Sequence, residues 1–109
     1  MYTNLPTEEG LKIMNWTGNN YYQDQDIANF IHEASDFVLN NNYLSFQGKV
    51  YHQTNGTAMG TSMAPTYANI FVAAYEQEFQ IPSLENLLYY GRYIDDVLAI
   101  IRGTRDKAL

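Results

Sequence analysis

Two adjacent carboxylates, Asp95 and Asp96, stand between two apolar, β-prone runs, Leu87-Leu88-Tyr89-Tyr90 and Val97-Leu98-Ala99-Ile100-Ile101. Runs of that kind around a short polar segment predict a hairpin whose tip carries negative charge. Successive side chains of a strand point to opposite faces, so neighbouring carboxylates converge only in or beside the turn. Acids on such a support suit a hard, oxygen-seeking ion such as Mg²⁺. That ion takes one or two protein carboxylates and leaves its other positions to water and phosphate. The plainer alternative is a solvated turn, because Asp bonds nearby backbone and is common there. Tyr93-Ile94-Asp95-Asp96 by itself does not choose between the two.

A second stretch upstream has its own chemistry to offer. Residues 54–60 form a Gly/Thr/Asn loop, and Thr61 or Ser62 can cap the helix expected after it. Pro65 is tolerated there because first-turn N–H groups have no intrahelical partner. Ala68, Phe71, Val72, Tyr75 and Phe79 then recur at helical spacing, and Ile81-Pro82-Ser83 is expected to stop the helix. Gly56 and Gly60 let the loop approach another group closely where a Cβ would intrude. The plainer alternative is a helix start with ordinary glycines.

The rest of the chain supplies support. Residues 1–6 read as the tail of an element begun upstream. A short helix over 7–16 is expected next, with Glu8 and Glu9 near its N-terminus and Gly10 weakening it. Gly18-Asn19-Asn20 reads as a loop. Asp24 or Asp26 caps a stronger helix whose apolar face is Ile27, Phe30, Ile31, Ala34, Phe37 and Val38, closed by Asn40-Asn41-Asn42. Residues 43–46 and 49–52 are short strands around Gln47-Gly48, a two-residue hairpin turn. His32 and His52 have no second ligand at metal-binding spacing and read as structural. The order gives an α+β class, with helices on one face of a small antiparallel sheet that includes the acidic hairpin.

Composition bounds the function. The chain has 109 residues, 46% hydrophobic and 15% aromatic, enough for a core and unlike a disordered segment. It has no apolar run of about 18 residues for a membrane span. The first residues lack the basic and apolar regions of a signal peptide, so secretion is not expected. Zero cysteines exclude disulfides and thiolate metal sites. Twelve acids against six bases, a formal charge of −6, argue against a free-standing nucleic-acid-binding module. A metal-bearing part of a nucleic-acid enzyme, with its basic surfaces elsewhere, remains compatible.

Gly56-Thr57-Ala58-Met59-Gly60-Thr61-Ser62-Met63-Ala64-Pro65, followed about 30 residues later by Tyr93-Ile94-Asp95-Asp96, resembles the palm of reverse transcriptases. The closer likeness is to the Penelope-like retroelement type, and Met59, where many other reverse transcriptases have Gln, fits that type. Tyr2-Thr3-Asn4-Leu5-Pro6-Thr7 is similar to the downstream half of the family's first palm motif. The resemblance implies an RNA-directed DNA polymerase using Mg²⁺, with Mn²⁺ as its substitute, and taking deoxynucleoside triphosphates, a DNA primer and an RNA template. It implies the nuclear or cytoplasmic setting of a retroelement protein, and with no apolar run long enough to span a bilayer no membrane partner is expected.

By the same resemblance Asp95 and Asp96 are the catalytic, metal-binding carboxylates, Asp96 in the lesser role. Tyr93 lies near the primer terminus. Gly56, Met59, Gly60, Thr61 and Pro65 belong to the loop and helix start that face template and incoming nucleotide. Tyr2 matches an aromatic residue that blocks a ribose 2′-hydroxyl, with an ordinary core tyrosine as the alternative.

The family's first-motif Asp would fall before residue 1, and fingers and thumb have no counterpart among these residues. Residues 1–109 are therefore expected to be a partial palm, with little activity by themselves. Two other readings stay open: a non-catalytic remnant or interaction domain that keeps the fold, and an RNA-templated RNA polymerase.

Overall fold

A computed structural model describes residues 2–81 and 84–103. Its elements are a 3₁₀ turn at Tyr2–Asn4, α1 (Thr7–Tyr21), α2 (Gln25–Asn40), β1 (Tyr43–Phe46), β2 (Lys49–His52), α3 (Ala64–Glu78), β3 (Leu87–Tyr93) and β4 (Asp96–Ile101). The α+β class holds. The chain divides after Phe71, inside α3, into two compact units.

The first unit is helix packed on helix. Its buried apolar residues are Leu5, Met14, Ala28, Leu39, Ala64, Tyr67, Ala68 and Phe71. α1 extends well past residue 16, and Gly18-Asn19-Asn20 is helical rather than a loop. Two local effects carry it through. Gly18 is buried with the space of its missing Cβ 3.8–3.9 Å from Ala28 atoms, so small residues let α1 and α2 approach. Asn19 and Asn20 bond back one turn, to Asn15 Oδ1 at 3.2 Å and to the Trp16 carbonyl at 2.7 Å.

Asp24 is the N-cap of α2, accepting from the N–H groups of Asp26 at 2.9 Å and Ile27 at 3.4 Å. The expected apolar face of this helix needs correction. Ala28, Ser35 and Leu39 are buried, while Ile27, Phe30 and Phe37 are exposed. Close approach to α1 selects the stripe of smaller side chains and turns the aromatic ones outward.

Gly10 does not simply weaken α1. A Cβ there would lie 1.7 Å from the hydroxyl oxygen of Tyr67, whose ring is fully buried. The glycine is the socket for that ring.

β1 and β2 form a hairpin in the expected register, Tyr43 opposite His52 and Phe46 opposite Lys49. Gln47 and Gly48 both have positive φ, +50° and +75°, which is the type I′ signature. His52 stacks on Tyr43 with ring centroids 4.9 Å apart. Its Nε2 donates to the Asn40 carbonyl at 2.8 Å, so it ties the hairpin to the end of α2, a structural role.

The expectation of one sheet with helices on one face is corrected: the strands make two separate two-stranded antiparallel sheets. Every residue of β1 and β2 is exposed, because the helices bury their faces against one another and not against this hairpin.

α3 begins at Ala64 with Met63 just before it, so neither Thr61 nor Ser62 occupies the position adjacent to the helix. It also ends earlier than expected. Phe79 N–H donates to the Tyr75 carbonyl at 2.9 Å, and Gln80 at φ +51° turns the chain out of the helix. Phe79 lies beyond the helix and is exposed. The stop assigned to Pro82 and Ser83 lies outside the described residues.

Candidate metal-binding hairpin and glycine loop

In the second unit β3 and β4 pair antiparallel from Leu87 opposite Ile101 to Tyr93 opposite Asp96. That register leaves Ile94 and Asp95 as the whole turn. Asp95 sits in the turn and Asp96 opens β4, as adjacency in the sequence requires of converging acids. Both carboxylates are exposed, and neither makes an ion pair with a described residue.

The turn is unusual for its sequence. Ile94 has φ +56°, while Asp95 is not among the residues with positive φ. A two-residue hairpin turn with only its first position in the left-handed region is type II′, where glycine is the ordinary occupant. A β-branched side chain there carries strain of about 1–2 kcal/mol.

A cluster beneath the turn holds it in place. Residues two apart on a strand share a face, so Tyr90 and Arg92 lie on one face of the ribbon. Both reach Glu76 in the last turns of α3. Arg92 engages the carboxylate with two nitrogens, Nε to Oε1 at 2.7 Å and an Nη to Oε2 at 3.2 Å. The Tyr90 hydroxyl donates to Glu76 Oε1. The other Arg92 Nη donates to the Ile94 carbonyl at 2.9 Å. The side chains of Arg92 and Glu76 are only 12% and 15% exposed. The Arg92 hydrogen bonds hold the Glu76 carboxyl below its ordinary range, and the bond to that carboxylate pushes the Tyr90 phenol up.

By register the opposite face carries Tyr89, Gly91, Tyr93, Asp96 and Leu98, and an open groove of about 350 Å³ beside them is lined by Arg92 and Val97 as well. Tyr93 is 77% exposed, beside Asp96. Asp96 thus fronts a groove with apolar and aromatic walls to which Arg92 also contributes.

Of the residues expected to face template and nucleotide, Tyr2, Gly56, Met59, Gly60, Thr61 and Pro65 all belong to the first unit, and Tyr93, Asp95 and Asp96 to the second. Within the first unit the loop docks on the 3₁₀ turn. Thr57 N–H donates to the Tyr2 carbonyl at 2.9 Å, and Thr57 is completely buried. Gly56 has φ +74°, and a Cβ on it would meet Tyr2 and Thr3 backbone atoms at 2.5 Å. Its space is taken by the chain itself, whereas a Cβ added at Gly60 would meet nothing within 4 Å, so of the two only Gly60 is open to another group. Met59 beside it is 75% exposed. Tyr2 is half-buried, and Pro65 is exposed in the first turn of α3.

Two carboxylate side chains suit one Mg²⁺, which needs no more from a protein. No group of three or more His, Cys, Asp or Glu that could hold a metal occurs among the described residues. A two-metal arrangement would therefore need a further carboxylate.

Sequence reasoning missed Glu76, Tyr90, Arg92 and the backbone of Ile94. A faint signal existed. Glu76 is an acid four residues after Val72 on the expected apolar face, and Tyr90 and Arg92 alternate on one strand. No family model, curated protein or solved structure matches the chain.

Proposed function

We propose that this chain is palm sequence of an RNA-directed DNA polymerase, in which Asp95 and Asp96 bind Mg²⁺ at the site of nucleotidyl transfer. The observation that carries the reading is the hairpin tip. It offers two adjacent exposed carboxylates, free of ion pairs with described residues, while the base next to them in sequence is committed to Glu76. Bound there, the ion would neutralise developing charge on the triphosphate and lower the pKa of a primer 3′-hydroxyl. Asp95, in the turn, is the principal ligand, and Asp96 the auxiliary one.

The other residues act on substrates. Tyr93, exposed next to Asp96, offers a ring to the primer terminus. Gly60 and Met59 present an open surface to template and incoming nucleotide, with Thr61, whose carbonyl accepts from Ala64 N–H at 3.0 Å, and Pro65 flanking the start of α3. Tyr2 excludes a ribose 2′-hydroxyl by bulk, and its backbone is held by Thr57.

Primer extension tests the reading on a protein that continues upstream to a first-motif carboxylate. With an RNA template, a DNA primer and Mg²⁺, extension with deoxynucleotides is expected, and Asp95→Ala should lower the rate at least about a thousandfold. Tyr2→Val should admit ribonucleotides. Equal activity of wild type and Asp95→Ala would remove Asp95 from the mechanism. Ribonucleotide use by the wild type would point to an RNA polymerase. No extension by any form would leave a non-catalytic palm remnant as the better account.

A further inference from the structure

The two hairpins of this chain differ in one torsional choice. Gln47 and Gly48 both have positive φ, whereas at the acidic tip only Ile94 does. Types I′ and II′ share a positive φ at the first position and differ by a flip of the central peptide plane. At the tip that plane is the Ile94–Asp95 peptide, and its carbonyl oxygen is the one Arg92 bonds at 2.9 Å.

We infer that Arg92, gripped by Glu76, is a positioning residue that selects the type II′ turn and thereby sets the direction in which Asp95 leaves the backbone. The inference rests on the metal-binding reading of Asp95 and Asp96.

The geometry explains why the job needs arginine. A guanidinium has donors in a fixed planar fork. Two of its nitrogens hold the Glu76 carboxylate, and the third reaches the Ile94 carbonyl. Glu76 fixes the plane, Tyr90 braces the carboxylate, and the remaining donor locks the peptide. A lysine ammonium could pair with Glu76 but could not reproduce this fork. Turning the peptide over would break the bond to Arg92 and rotate φ of Asp95 through the turn. The Asp95 side chain would then leave the ribbon in another direction. Ile94 tolerates its strained backbone because the surrounding bonds over-determine it.

The sign of the charge effect separates this role from simple electrostatics. Arg92 is a cation close in sequence to a cation site. If through-space charge were its whole influence, deleting it would tighten metal binding, all the more so with Glu76 left unpaired. A positioning role requires the reverse.

The test uses this chain with Mn²⁺ as the probe, in wild type, Arg92→Ala, Arg92→Lys, Ile94→Gly and Arg92→Ala/Ile94→Gly. Mn²⁺ affinity is read from broadening of amide signals. The turn is read from the strong amide-to-Hα cross-peak within residue 94, since a positive φ brings those two protons together.

Arg92→Ala and Arg92→Lys are each expected to weaken Mn²⁺ binding about tenfold, the lower range for losing a supporting residue behind a metal ligand. Arg92→Ala should also weaken the cross-peak. Glycine adopts the turn without support, so the double variant should return to within about twofold of Ile94→Gly alone.

Unchanged or tighter binding in Arg92→Ala, with the cross-peak intact, overturns the inference. Weakened binding that Ile94→Gly fails to restore also overturns it, because Arg92 would then act through docking of the whole ribbon. A wild type that binds no Mn²⁺ overturns the metal reading instead, and the cross-peak still decides whether Arg92 holds the turn.

Discussion

Ile94 shows how much one backbone angle can matter. A β-branched residue at φ +56° is out of place by its own preferences, and it separates the strand ending at Tyr93 from the acid that opens β4. Ile94→Gly should relieve the left-handed strain and raise hairpin stability by up to about 1 kcal/mol after the entropic cost of glycine. Slower amide exchange along β3 and β4 would report the gain. No change would mean that Arg92 already cancels the strain.

The Glu76 carboxyl gives a pH dependence whose sign is fixed. Its folded pKa is depressed by the bonds from Arg92 and Tyr90. The stability it contributes is therefore present above the ordinary carboxylate range and lost as pH falls through the lower folded value. Tyr90 is the mirror case. Its raised pKa makes its contribution complete below the ordinary phenol range and lost as pH climbs past it. Amide exchange in β3 and β4 should be slowest between those limits and should quicken at both ends.

The elements show which parts of the sequence could be read and why others could not. The β1–β2 hairpin was legible to the residue, because Gln47-Gly48 is a turn dipeptide whose conformation is decided locally. The Asp24 cap was legible for the same reason. The Asp95-Asp96 tip followed from two β-prone runs and strand geometry. What escaped was set by partners distant in the chain. Gly18 looked like a helix breaker, and only its packing on Ala28 makes it helical. The Glu76–Arg92 clamp joins residues 16 positions apart, and neither residue type announces the other.

α1 tests this distinction with two glycines. At Gly18 an added Cβ meets ordinary contacts at 3.8–3.9 Å, so Gly18→Ala should raise stability by up to about 1 kcal/mol through helix propensity. At Gly10 the same change drives a methyl into the buried Tyr67 ring and should cost about 1–3 kcal/mol. Urea midpoints of the two variants should move in opposite directions. Movement in the same direction would contradict the packing of Tyr67 on α1.

At the scale of the molecule, the chain buries small helix faces and leaves large apolar side chains in water. Phe30 and Phe37 on α2 are 69% and 68% exposed, and Leu98 and Ile100 on β4 are exposed as well. Exposed apolar side chains of this size favour association, which the net charge of −6 opposes. Sedimentation velocity should show concentration-dependent association that grows with added salt. Phe30→Glu/Phe37→Glu should reduce it without changing the helical signal, because neither ring lies in the core. Among the described residues no helix is long and apolar enough to cross a membrane.

The acidic tip can be tested on the chain as it stands. In a Mn²⁺ titration followed by amide line broadening, residues 93–97 should broaden first, with weak affinity, since two carboxylates are a sparse ligand set. Asp95→Asn should abolish that broadening and Asp96→Asn should weaken it. Broadening spread evenly over the acidic surface, or unaffected by Asp95→Asn, would contradict the assignment of this hairpin as the metal site.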